Sequence, residues 1–147
     1  MFRAQLALAV ERGLPVVIHS RETGSEMLED YAASGRPGGV WHSFVGTRDE
    51  AFRALDLGLF ISFSGMLTFK NAPALREIAR EVPTGCLLVE TDSPYLAPAP
   101  HRGKRSEPAF VLETARCLAG LRGVRIEDLA PCLEDNVGRV FPRMEAG

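Results

Sequence analysis

Four short apolar runs do most to limit how this chain can fold: LPVVIHS (14–20), GGVWHSF (38–44), LFISFSG (59–65) and CLLVET (86–91). Each is too short for a stable helix. Their near-continuous apolarity fits strands covered on both faces. Between and around them the apolar residues recur at helical spacing, in RAQLALAVERG (3–13), ETGSEMLEDYAASG (22–35), TRDEAFRALDLG (47–58), APALREIAREVP (72–83), SEPAFVLETARCLAGLRG (106–123) and RIEDLAPCLEDNVGRVF (125–141). Glycine or proline punctuates these segments: Gly13, Gly35 and Gly123 as stops, Pro83 as a close, Pro108 in a first turn. Thr47 with Glu50 three residues on reads as a capping box. Pro131 is expected to break the last helix. Short strands alternating with helices imply parallel pairing through right-handed crossovers, hence a single α/β domain over residues 1–147.

Parallel α/β sheets bind ligands at the carboxyl ends of their strands. Here those ends read His19-Ser20-Arg21, His42-Ser43-Phe44, Ser62-Phe63-Ser64 and Glu90-Thr91-Asp92. Two of the chain's three histidines and an acid thus meet at one rim. Singly, each has a plainer explanation, a histidine hydrogen-bonded at a strand end or an aspartate capping a turn. Together, imidazole and carboxylate suit zinc, manganese or a similar divalent ion. The proline-rich loop after the fourth run carries HRGKRSEP (101–108). Arg102, Lys104 and Arg105 there suit phosphate recognition, with Arg21 and Lys70 adding to the same surface. Phe44, Phe69 and Tyr95 are candidates to stack on a base.

Composition narrows the partners. A net charge of −2 cannot hold nucleic acid by overall field, so any phosphate site must be local. No apolar run approaches bilayer length, and the amphipathic N-terminus lacks the layout of a signal peptide, so a cytoplasmic location is expected. Cys86, Cys117 and Cys132 form no C-x-x-C pair and are expected as buried, reduced thiols.

The blocks PVVIHSR, HSFVG, ISFSGMLTFKNA, LLVETDSPYLAP, RGKRSEP and EDNVGRVF, in this order and spacing, resemble the TatD family of metal-dependent deoxyribonucleases. Ser106 stands where that family usually has asparagine and Ser43 where it often has cysteine, neither expected to touch a metal ligand. The resemblance implies a TIM barrel with a two-metal site at its rim and hydrolysis of phosphodiesters, DNA above all. It implies that His19 and His42 bind one divalent ion (magnesium, manganese or zinc). Asp92 would bind the other and act on the attacking water. Glu90 and Ser64 would support them, with Arg21, Lys70, Arg102, Lys104 and Arg105 toward the substrate. Members of the family are nearly twice as long and carry a His-x-His pair and a bridging glutamate that this chain lacks. The chain is therefore expected to supply barrel strands five to eight as a half-barrel with an incomplete site and little activity alone. Its open edges and uncovered inner face would be met by a second copy or by the other half of the barrel.

Overall fold

The computed structural model describes residues 1–144. Helix α1 (Phe2–Arg12) ends where Gly13 takes a left-handed φ of 59°, a conformation costly for any residue with a Cβ. Strand β1 (Val16–Ile18) leads to α2 (Gly24–Ala32), β2 (Gly39–Trp41), α3 (Arg48–Asp56), β3 (Leu59–Phe63), α4 (Pro73–Glu81) and β4 (Leu87–Val89). Two helices close the order, α5 (Val111–Arg122) and α6 (Ile126–Val140). Short 3-10 turns stand at Gly65–Thr68, Thr84–Cys86 and Pro108–Phe110.

All four strands pair parallel, as the alternation of runs implies, and their order in the sheet is β1-β2-β3-β4. The register sets Ile18 against Trp41, Trp41 against Ile61, and Ile61 against Leu87. Period-two alternation then sorts the side chains. One face carries Ile18, Trp41, Leu59, Ile61, Phe63 and Leu87, all buried under the helices in the main core. The other carries Val17, Val40, Phe60 and Leu88 and, one layer further along, His19, His42, Ser62 and Glu90.

That second face was expected to be bare, and it is only partly so. The last turn of α6 brings Val137, Val140 and Phe141 onto Val40, Phe60 and Leu88. Val17 on edge strand β1 stays 60% exposed. Pro131 does not break α6, which runs through it. Proline lacks the N–H that would bond the Glu127 carbonyl, but both residues are exposed, so water can take that carbonyl. The three thiols are free, yet half-buried rather than buried.

Two polar devices fix the frame. Arg122 donates through Nη1 to the carbonyls of Ala79 (2.9 Å), Arg80 (3.1 Å) and Val82 (2.8 Å), satisfying the orphan acceptors at the end of α4. In the EDNVGRVF block, buried Asn136 donates to the carbonyls of Thr84 (2.7 Å) and Leu87 (2.9 Å), which locks the entry to β4. The capping box at α3 forms as read from the sequence: Thr47 Oγ1 accepts from the Glu50 N–H at 3.2 Å, and Glu50 Oε2 accepts from the Thr47 N–H at 2.7 Å. Thr47→Ala should cost about 1 kcal/mol. At this chain length that lowers the melting temperature by roughly 2–4 °C, measurable by circular dichroism.

Candidate metal centre

The parallel ladder continues past the strand ends and seats the rim. His42 N–H donates to the Ile18 carbonyl at 2.9 Å, Phe44 N–H to Ser62 at 2.9 Å, and Glu90 N–H to Phe63 at 3.1 Å. These bonds carry the alternation one step beyond each strand, so His42 and Glu90 emerge on the face away from the main core. Asp92 follows at the start of the proline-rich loop, its carbonyl accepting from Tyr95 N–H at 2.7 Å. That loop lies against the turn after β3, where Gly65 is obligatory: a Cβ there would stand 2.4 Å from the Leu96 carbonyl oxygen.

His42, Glu90 and Asp92 converge, each offering one ligand atom within 4.8 Å of the others. Glu90 Oε1 lies 2.5 Å from His42 Nδ1, and Asp92 Oδ1 lies 3.1 Å from His42 Nε2. The first approach is close but lacks hydrogen-bond alignment, which leaves Glu90 Oε1 a buried oxygen with no donor. One imidazole between two half-buried carboxylates is short of positive charge. A nitrogen and two carboxylate oxygens are donors that manganese, magnesium or zinc accept. The residues therefore fit a divalent ion.

Burial pushes the Glu90 carboxyl above its ordinary value of 4.5; the Ser62 hydroxyl and His42 oppose this, the Asp92 charge adds to it, and the Ser43 N–H opposes it. A carboxyl raised in the fold favours the native state in its protonated form. That contribution is full below pH 4.5 and is lost as pH rises through the raised value. The metal-free Glu90→Gln chain should thus melt like wild type at acid pH and above it at neutral pH, the gap opening as pH climbs. A gap that stays constant with pH in thermal melts would remove burial of Glu90 as its cause.

The other residues singled out in the sequence divide. His19 is exposed beside His42, with ring centroids 5.6 Å apart, outside the three-member group. Both His19 and Arg21 line a cleft of about 1260 Å³ that also takes in Asp92, Tyr95 and Met66. Ser64 is buried next to Ser43. Lys70, Lys104 and Arg105 are exposed. The Arg102 guanidinium lies 3.7 Å over the Phe69 ring, and its Nη1 donates to the Ala97 carbonyl at 3.4 Å, so the side chain braces its own loop and covers Phe69. Phe44 is 1% exposed and packs edge-on to Trp41 at 4.8 Å, a core residue rather than a stacking platform. Tyr95, at 73% exposure, stays open to solvent.

One expectation is overturned. Ser43 does touch an expected ligand: its Oγ donates to Asp92 Oδ2 at 2.7 Å. The position directly after a rim histidine was the available signal. It went unread because a single hydroxyl carries no partner information in sequence.

A family model described as "TatD related DNase" matches residues 1–142. The metal-dependent hydrolase YcfH of Escherichia coli (strain K12) is 46% identical over 144 residues, covering 95% of this chain and 54% of that protein. The 3'-5' ssDNA/RNA exonuclease TatD of Pantoea ananatis is 37% identical over 148 residues, covering 95% and 56%. Among solved structures, the TatD homologue YJJV from Escherichia coli K12 superposes with a TM-score of 0.85 at 30% identity, over 94% of this chain and 54% of that one. The chain spans about half the length of the curated relatives it matches.

Proposed function

This chain belongs to the family of TatD-related DNases, and on that premise we propose that it contributes one side of the rim of a metal-dependent phosphodiester hydrolase. The observation that carries this reading is the convergence of His42, Glu90 and Asp92 on one point, with a carboxylate oxygen buried there without a donor. His42 through a ring nitrogen, Asp92 through Oδ1 and Glu90 through Oε1 are the proposed ligands. A divalent ion held there would supply positive charge to a phosphate oxygen and make a bound water a stronger acid. Asp92 then orients the attacking water and takes its proton. In a complete site His19 would add a further ligand beside this group. DNA or another phosphoester enters by the cleft past Arg21, drawn by the exposed cations Lys70, Lys104 and Arg105.

The four strands in this reading are strands five to eight of a TIM-type barrel, working in the cytoplasm. Two observations support an unfinished barrel: β1 and β4 are the outer strands of the sheet, and Val17 is exposed on the face that a closed barrel would cover. Either a second copy or a further segment carrying the remaining ligands completes it. A light-scattering mass of one 16.0 kDa chain at micromolar concentration would exclude the second copy.

The site reading is tested by titrating the chain with Mn²⁺, Mg²⁺ and Zn²⁺ and following the melting temperature. At least one ion should raise it saturably, because binding to the native state alone stabilises by mass action. No response to any of the three would end the proposal.

A further inference from the structure

Each carboxylate of the centre is held by a serine on a neighbouring element, and each by only one of its oxygens. Ser43 Oγ donates to Asp92 Oδ2 at 2.7 Å, while Asp92 Oδ1 faces His42 Nε2 at 3.1 Å. Ser62 Oγ donates to Glu90 Oε2, while Glu90 Oε1 faces His42 Nδ1 at 2.5 Å. Both serines are buried, at 7% and 2% exposure, so water does not compete for these bonds. Ser64 Oγ, also buried, lies 2.9 Å from Ser43 Oγ. A hydroxyl has one hydrogen. Ser43 Oγ is the donor toward both Asp92 Oδ2 and Ser64 Oγ, and the charged, nearer carboxylate takes the larger share of its single hydrogen.

The backbone at Ser43 points the same way. Its φ is 46°, in the left-handed region that favours glycine. Glycine would relieve the backbone and lose the hydroxyl. Serine at this position keeps the group that reaches Asp92.

We infer that Ser43 and Ser62 are positioning residues that each pin one carboxylate oxygen, so that Asp92 and Glu90 present only the other oxygen toward the cation. The inference rests on the metal-site reading above. Without the pins a carboxylate can rotate and offer both oxygens, or turn from the site.

The test uses the full chain and Mn²⁺ alone. Calorimetry gives the affinity. Metal-minus-apo infrared spectra of isotope-labelled aspartate give the gap between the asymmetric and symmetric carboxylate stretches, which is wide for one-oxygen ligation and narrow for two. Ser43→Ala keeps the Cβ and removes only the hydroxyl. It should weaken Mn²⁺ binding by about 10-fold or more and narrow the gap, with the metal-free melting temperature little changed. Ser43→Cys, a weaker donor, should fall between alanine and wild type. If Ser43→Ala does not fold, Ser43→Cys carries the same comparison. Wild-type affinity in these variants, or lost affinity with unmoved bands, overturns the inference while leaving the metal site intact. A wild-type chain that binds no Mn²⁺ overturns the metal-site reading itself, and this inference with it.

Discussion

Replacing His42 or Asp92 by alanine should lower the Mn²⁺ affinity of this chain by more than about 100-fold, beyond the 10–100-fold typical of removing a residue that only supports a ligand. Three donor residues converge, so losing one leaves two. The two variants should differ in the metal-free state. Asp92→Ala removes one carboxylate and leaves His42 beside Glu90. His42→Ala leaves two half-buried carboxylates with no imidazole between them, and like charges without a partner destabilise the fold. The metal-free His42→Ala chain should therefore melt below the metal-free Asp92→Ala chain at neutral pH, and that gap should shrink as pH falls and Glu90 protonates. Calorimetric titration and thermal melts at two pH values check both halves. Affinity for Mn²⁺ within a few-fold of wild type in either variant would remove that residue from the centre.

Cleavage of single-stranded DNA by the 147-residue chain should be slower than cleavage by a complete relative by a factor of about 1000 or more. A two-ion phosphodiesterase stabilises both the attacking and the leaving oxygen. The described residues gather one group of three residues able to hold a metal ion, with His19 beside it. Forfeiting ~4 kcal/mol of charge stabilisation in the transition state is enough for a thousandfold loss. The comparison is made in Mn²⁺ with the same oligonucleotide, with Asp92→Ala as the background. Turnover within tenfold of the complete relative, lost in Asp92→Ala, would mean that the chain assembles a working site as it stands. Turnover that rises steeply with chain concentration would instead point to completion by a second copy.

Much of the frame was legible before any coordinates. The period switches gave the order of elements, and the local signals at Thr47, Gly13 and Gly123 gave caps that the fold uses. Such signals are readable because each acts within a few residues of itself. Pro131 misled for the same reason: its local cost is real, but the packing of Leu129, Leu133 and Val140 on one side of α6 outweighs it. Arg102 and Phe44 misled differently. A basic residue in a loop and an aromatic at a strand end look available in sequence, and only the tertiary partner shows that one is stacked and the other buried.

The sequence by itself determined a parallel sheet and the rim at which His19, His42 and Asp92 gather, because alternation and strand polarity follow from the spacing of apolar residues. Tertiary structure alone decided which of them meet. The register of β2, β3 and β4 brings Glu90 to one side of His42 and Asp92 to the other, leaves His19 adjacent, and sets Ser43 and Ser62 against the two carboxylates. The two serine–carboxylate pairs lie 28 and 49 residues apart in the chain, and no local rule links residues at such separation. Distances of this kind are fixed only when strands pair and the core under them closes.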